Sequence, residues 1–317
     1  MAVIGIDAGA SKTAGLLLEG ESILERRRFP TDASSTAGVE RGLTETCATL
    51  LEIASSKGLK VEAVGLGIAG FIDHARGVVI DAPNQPLRNY PVRDILEARF
   101  GLPVRVENDA NAWALAEALL GAGKGLRFLV HLTLGTGIGG GVVLDGRVYR
   151  GALGTASEPG HMIIMENGPL CNCGARGCLE ALVSGVAIHR RVEELAKEGK
   201  MAPVTEEFLA DPASFGADDV CRHADAGDAL ARSILEDAGG HLGTGIASLV
   251  NLLNPDAVTL SGGLLASFHH MEESMRRSFE ASAIAVNREH VRILKSTLGE
   301  DGGALGAALL ATNPDNP

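Results

Sequence analysis

No uninterrupted apolar stretch in the 317 residues approaches the roughly 20 that a helical membrane span requires, which argues against a membrane-embedded protein. Neither a basic segment nor a small-residue cleavage site accompanies the apolar residues Val3, Ile4 and Ile6 near the start, so no secretory signal is expected and the cytoplasm is the expected location. An excess of Lys and Arg is missing too. The formal net charge is -12, which opposes recognition of nucleic acid through its phosphates, and the longest basic run, Arg26 to Arg28, reads as a solvated strand end. Cysteine is scarce, and five such residues are too few and too clustered for a disulfide framework. A nucleotidase P-loop is excluded because no Gly-x-x-x-x-Gly-Lys string followed by Ser or Thr occurs.

What remains is an acidic globular composition, 45% hydrophobic and 21% charged. Single cores usually stop growing at roughly 250 to 300 residues, so two lobes are expected. These are a smaller α/β lobe over 1–120, completed by a C-terminal helix within 300–317, and a larger one over 121–299. The pattern along the chain repeats. An apolar strand at 3–7 meets a glycine-bearing turn at 8–14, a second strand at 15–18, a turn at Glu19 and Gly20, and a third strand at 22–28. The same grammar returns at 130–134, 135–141, 142–144, Asp145 with Gly146, and 147–149, an offset of 126 residues from Gly20 to Gly146. A second echo pairs 63–67 with 257–261, and together they predict an internally duplicated α/β protein.

Helical periodicity puts Leu43, Cys47, Leu50, Leu51 and Ala54 on one face. The stretch 228–253 carries Gly239, Gly240, Gly243 and Gly245, each costing a helix about 1 kcal/mol relative to Ala, so close packing or a break is expected before Pro255 ends it. A short alanine-rich helix over 303–311 is expected to fold back on the first lobe, with a frayed tail after Thr312.

Two Gly-x-Gly-x-x-Gly matches, one at Gly65, Gly67 and Gly70 and one at Gly135, Gly137 and Gly140, raise the question of a dinucleotide. That motif needs a following helix whose N-terminus faces the pyrophosphate, and strand patterns follow both matches, so the reading fails. Two glycine loops survive, one after Asp7 and one after Leu134. Their bare N–H groups can cradle phosphate, with Ser11, Thr13 and Thr136 as hydroxyl donors and Lys12 as the cation, although such glycines also suit plain tight hairpins. Asp7, at a strand end, can hold the magnesium that accompanies a nucleotide, usually through water.

At 104–111 an alternating strand runs into a helix-forming segment. Asn108 and Asp109 at the junction suit an N-cap, and they equally suit presentation of a carboxylate to a cleft. Phosphoryl transfer needs one carboxylate to accept the hydroxyl proton, and Asp109 can serve as both cap and base. His161, Cys171, Cys173 and Cys178 fall within 18 residues. Three thiols and an imidazole make a structural zinc set, with a redox pair or fortuitous cysteines as the alternatives, while Cys47 and Cys221 read as core residues. Glu158 and Glu180 flank the loop and can accept hydrogen bonds from a polyol.

Taken together, segments 5–13, 107–111, 134–141, 158–161, 171–180 and 260–263 resemble, in order and along nearly the whole chain, the repressor/ORF/kinase (ROK) family of sugar kinases. The resemblance implies a duplicated actin-like, ribonuclease-H-like fold with the sugar bound between the lobes. It implies Asp109 as general base, and Asn108, Glu158, His161 and Glu180 as sugar ligands, with His161 also holding zinc beside Cys171, Cys173 and Cys178. Asp7, Gly9, Ser11, Lys12, Thr13, Gly135, Thr136 and Gly137 would serve the phosphates, and Gly262 and Gly263 would border the adenosine. The implied cofactors are structural Zn2+ and Mg2+ with ATP; the expected partners are a hexose, ATP and further copies of the chain in a dimer or tetramer. Ala10 and Ser11 stand where the family usually has Gly-Thr, Pro159 where an aliphatic residue is commoner, and Ala69 where proline is frequent. Glu158 favours glucose, converted to glucose 6-phosphate, over an N-acetylhexosamine or fructose, with ATP or polyphosphate as donor. Regulators of the family carry a helix-turn-helix ahead of a first strand that here begins by Val3, so a sugar-binding regulator is the minor expectation.

Overall fold

The computed structural model describes residues 1–312. The expected fraying after Thr312 therefore lies outside the described residues. β1 (Ala2–Ala8) is apolar and almost wholly buried, and it pairs antiparallel with β2 (Lys12–Glu19), which is buried from Thr13 to Leu18. β3 (Ser22–Pro30) pairs with β2 and carries exposed arginines, as suits a sheet edge. α1 (Thr36–Ser56) starts at Ser35, whose hydroxyl accepts from the Gly38 N–H at 3.1 Å. Its Leu43, Cys47, Leu50 and Ala54 are buried, the face that the periodicity predicts.

β4 (Val61–Ile68) runs parallel to β1. β5 (Phe71–Asp73), β6 (Val78–Ala82) and β7 (Leu87–Tyr90) form a small antiparallel sheet, and α2 (Val92–Phe100) ends at Gly101 in the left-handed region before β8 (Val104–Asn108) joins β4 in parallel. No helix follows Gly70, which removes the dinucleotide reading there. The sheet order is β3-β2-β1-β4-β8.

After α3 (Asp109–Leu119) the pattern repeats with β9 (Phe128–Leu134), β10 (Ile138–Leu144) and β11 (Arg147–Val148). Asp145 and Gly146 take φ of 52° and 74°, the positive pair that a two-residue hairpin turn requires. Five helices follow: α4 (Glu180–Val183), α5 (Gly185–Lys197), α6 (Pro203–Ala210), α7 (Ala217–Asp225) and α8 (Ala229–Leu253). β12 (Ala257–Ser261), a 3-10 turn over Gly263–Ser267, α9 (Phe268–Ser282), α10 (Ala285–His290), β13 (Arg292–Lys295) and α11 (Gly302–Thr312) complete the described chain. The second sheet has the order β11-β10-β9-β12-β13, with β12 parallel to β13, so the arrangement of the first sheet recurs as the echo predicts.

The glycines of α8 do not break it. Cβ atoms on Gly239 and Gly243 would overlap the Met271 and Met275 carbonyls of α9, so the glycines serve close packing, and Asn254 in the left-handed region ends the helix just before Pro255. The chain divides into two compact units, one of residues 1–131, 141–157 and 296 onward, the other of 132–140 and 158–295. In the first, α11 lies on β1, β4 and α3, with Ile4, Ile6, Leu17, Leu43, Leu66 and Ile68 in the core across the sheet. Among the described residues no helix is long and apolar enough to cross a membrane.

Candidate active site

Alternation along β8 buries Val104 and Val106, and the next residue, Glu107, is buried completely. Asn108 still has extended backbone, and its side-chain oxygen accepts from the Asn111 N–H at 3.1 Å. The cap of α3 is therefore Asn108, and the expectation that Asp109 doubles as the cap is corrected. Asp109 is already the first helical residue, so its backbone has left the geometry a cap needs. The Asn108 amide also donates to the Gly70 carbonyl at 3.2 Å. Asp109 is half-buried and accepts from the Ala110 N–H at 2.9 Å. Burial raises its carboxyl above the ordinary value, with backbone N–H groups acting the other way.

Beneath this junction sits a network that the sequence reading does not single out. The Arg150 guanidinium donates to Glu107 Oε2 at 2.7 Å, Asn111 Nδ2 donates to Glu107 Oε1 at 3.2 Å, and His74 Nε2 lies 3.5 Å from the same oxygen. A buried charge has to be paired, and these groups pair Glu107. The only cue in the sequence is a Glu at the buried end of an apolar strand.

Asp7 closes β1 in the same unit. Burial first, and then the charge of Asp109, push its carboxyl up to about 7, with Lys12 acting in the opposite sense. Gly303, in the first turn of α11, leaves room for that carboxylate, which a Cβ there would overlap. A carboxylate whose ionisation is opposed by burial and by a neighbouring negative charge suits a hydrated divalent cation, so Asp7 fits Mg2+. In the adjoining loop the Gly9 N–H donates to the Lys12 carbonyl at 3.0 Å, Ser11 is exposed, and Lys12 Nζ lies 3.4 Å from Glu300. Thr13 departs from expectation. Its side chain is buried and its hydroxyl shares a 2.9 Å hydrogen bond with that of Thr31, so it is turned away from the exposed loop.

In the second unit Gly135 and Thr136 join Gly263 in lining a cavity of about 500 Å3, together with His189, Phe215 and Gly216. Gly262 does not line it. Its φ is 98° and a Cβ would overlap the Leu134 carbonyl, so glycine is needed there for the chain to pass β9. Gly137 serves Glu180, whose carboxylate accepts from the Ile138 N–H at 3.0 Å in space that a Cβ would fill.

The same Glu180 reaches the cysteine loop, with Oε1 at 3.6 Å from Cys171 Sγ. Cys171 Sγ is 3.7 Å from His161 Nδ1, Cys173 Sγ is 3.7 Å from Cys178 Sγ, and the four ligand atoms lie within 4.8 Å of one another. A metal–sulfur bond of about 2.3 Å in a tetrahedron gives edges of about 3.8 Å, so the residues fit zinc. Burial pushes the Cys171 thiol up to about 12 and raises Cys178, while a backbone hydrogen bond from Ala175 lowers Cys173. A divalent cation removes the obstacle to ionising these thiols. Glu158 precedes the 3-10 turn Pro159–His161, in which Gly160 lets the chain lie against the Ile138 carbonyl.

A glucokinase of Halalkalibacterium halodurans is 35% identical over 323 residues, covering 99% of this chain and 96% of that protein. Among solved structures, a ROK hexokinase from Thermus thermophilus is 36% identical with a TM-score of 0.80, covering 98% of each chain. A ROK family glucokinase from Streptomyces griseus, in complex with glucose and AMPPNP, is 34% identical with a TM-score of 0.81, covering 98% of this chain and 99% of that one. The ROK family profile matches residues 3–313, and the chain belongs to the ROK family.

Proposed function

We propose that this chain is a hexose kinase that transfers the γ-phosphoryl group of ATP to glucose, with the 6-hydroxyl as acceptor. The observation that carries the reading is Asp109, a carboxylate in the first turn of α3 that is spared from capping by Asn108 and raised in basicity by burial. A carboxylate of raised pKa accepts a hydroxyl proton more readily at neutral pH. As the sugar oxygen bonds to phosphorus, Asp109 takes its proton and the bridging oxygen departs on ADP. The full-length likeness to glucokinases supports glucose as the sugar.

Asn108, Glu158, His161 and Glu180 are the proposed sugar ligands, with His161 Nε2 facing the sugar because Nδ1 is turned toward the thiols. The loop from Gly9 to Lys12 and the cavity bordered by Gly135, Thr136 and Gly263 are the proposed phosphate and adenosine contacts. Asp7 would hold Mg2+ through water, and the bound ion neutralises phosphate charge. Zn2+ on His161, Cys171, Cys173 and Cys178 would fix the loop and, through it, the His161 ring and Glu180.

A coupled ADP-release assay across a panel of hexoses tests this, with glucose expected to give the highest kcat/KM. Absence of turnover with every hexose would sink it. Asp109→Asn should lower kcat by about 10² to 10⁴-fold while calorimetric glucose binding persists. Near-normal turnover in that variant would exclude Asp109 as the base.

A further inference from the structure

The proposed reaction leaves one group of ligating side chains unused. Cys221 and Asp225 lie one turn apart on α7, and His269 and His270 stand in the first turn of α9. His269 Nε2 and His270 Nε2 are each 2.8 Å from Asp225 Oδ1, and Cys221 Sγ is 3.8 Å from Asp225 Oδ2. One ligand atom from each of the four lies within 4.8 Å of the other three. Cys221 is buried, as a core reading requires, yet its sulfur lies beside this polar group.

The hydrogen count at His269 shows what the cluster needs. Its Nδ1 is 3.1 Å from the Ala266 carbonyl and its Nε2 faces the Asp225 carboxylate, so both nitrogens meet acceptors. A neutral imidazole carries a single N–H and satisfies only one of them. A metal ion on Nε2 leaves the single proton on Nδ1 and places a charge that Asp225 balances beside two rings whose centroids lie 4.1 Å apart. His269 Nδ1–H stays on the Ala266 carbonyl, an orientation that metal-bound histidines commonly take, and Nε2 becomes a free ligand. Asp225 is the last residue of α7, whose negative end favours a cation.

We propose that Cys221, Asp225, His269 and His270 form a second transition-metal site that clamps the end of α7 to the start of α9. Two imidazoles, a thiolate and a carboxylate select a borderline ion such as Zn2+ over Mg2+ or Ca2+. The clamp bears on the nucleotide cavity, because Ala217 at the start of α7 and Gly263 in the turn leading to α9 both line it.

Titration of the purified chain with ZnCl2, followed by dialysis and elemental analysis, should find two zinc equivalents. His269→Gln and Asp225→Asn, both at exposed positions whose loss leaves the core intact, should each weaken the second equivalent by at least about tenfold and spare the first. Adding CoCl2 to chain that carries a single zinc equivalent, with the second site still empty, should produce a thiolate-to-cobalt charge-transfer band that Cys221→Ser abolishes. A chain that lacked metal in the Cys171 loop would still show one equivalent, lost in His269→Gln, which keeps the two sites distinguishable. Saturation at one equivalent that His269→Gln leaves untouched would overturn the proposal. So would a second equivalent that neither exposed variant alters.

Discussion

Asp7, the proposed Mg2+ contact, sits where burial opposes the charge that such a contact needs. Its folded pKa of about 7 lies above the ordinary 3.8, because burial and the neighbouring Asp109 both oppose its charge. The native chain thus retains a proton that the unfolded chain releases. The contribution of Asp7 to the stability of the ligand-free protein should therefore be most favourable below about pH 4, fall as pH rises toward 7, and stay reduced above it, against the opposite trend of the carboxylates whose pKa is lowered. At about 1.4 kcal/mol per pKa unit the whole effect amounts to at most about 5 kcal/mol. Asp109, also raised, acts in the same direction. Asp7→Asn removes the group that must ionise, so urea midpoints should depend less on pH and should exceed wild type at pH 8, while turnover falls because the proposed Mg2+ contact is lost. An unchanged pH profile of stability in the variant would show that Asp7 does not carry the linkage. The roles proposed for Asp7 and Asp109 could be framed from sequence, since strand ends beside glycine turns are recognisable. The inward turn of Thr13 is not legible in the same way, because its partner, Thr31, lies beyond the next strand and no local pattern announces it.

At the scale of elements, the β8–α3 junction depends on a charge pair far apart in the chain. Alternation identifies the strand and the Asn108-Asp109 step identifies the helix start, but Arg150 is 43 residues from Glu107 and reaches it only through the fold. The ion pair is nearly dry, with the Glu107 side chain fully buried and that of Arg150 14% exposed. Removing one partner of such a pair typically costs about 3 to 5 kcal/mol, because the remaining charge is left without compensation. Arg150→Met should therefore destabilise the chain by about that amount, and chemical denaturation would measure it. Adding Glu107→Gln to Arg150→Met should recover much of the loss, since the stranded charge is gone. A double variant as unstable as the sum of the single ones would mean the two residues do not act as a pair. The glycines of α8 teach a related lesson. Their cost to an isolated helix is visible in the sequence, whereas the compensation, backbone contact with α9, is tertiary.

For the molecule as a whole, the duplication was legible because each half repeats the same local turns, Gly20 in one and Gly146 in the other, both in the left-handed region. The return of the last described helix to the first lobe was legible too, in its short alanine-rich run, but the backbone contact it makes with β1 and β4 was not, for it joins residues far apart in the chain. β1 and β4 carry Gly5 and Gly65 where α11 crosses them, and a Cβ on either would overlap the carbonyls of Ala304 and Ala307 respectively. α11 itself is buried from Gly302 to Leu310. Contact between backbones leaves no rotamer to absorb an added side chain, so Gly65→Val should exceed the about 1 to 3 kcal/mol usual for overpacking a core. The chain has one tryptophan, Trp113, and its ring lies against Gly302 at the start of α11. Its fluorescence therefore reports whether the helix is docked. In Gly65→Val the emission should shift to the red at lower urea than in the wild type, ahead of any change caused by ligands. Ending the chain before Gly302 should produce that shift without denaturant, because the apolar faces of β1 and β4 lose their cover. A truncated chain with native emission and native urea midpoint would mean that the first unit folds without α11, and that the two glycines serve some need other than its docking.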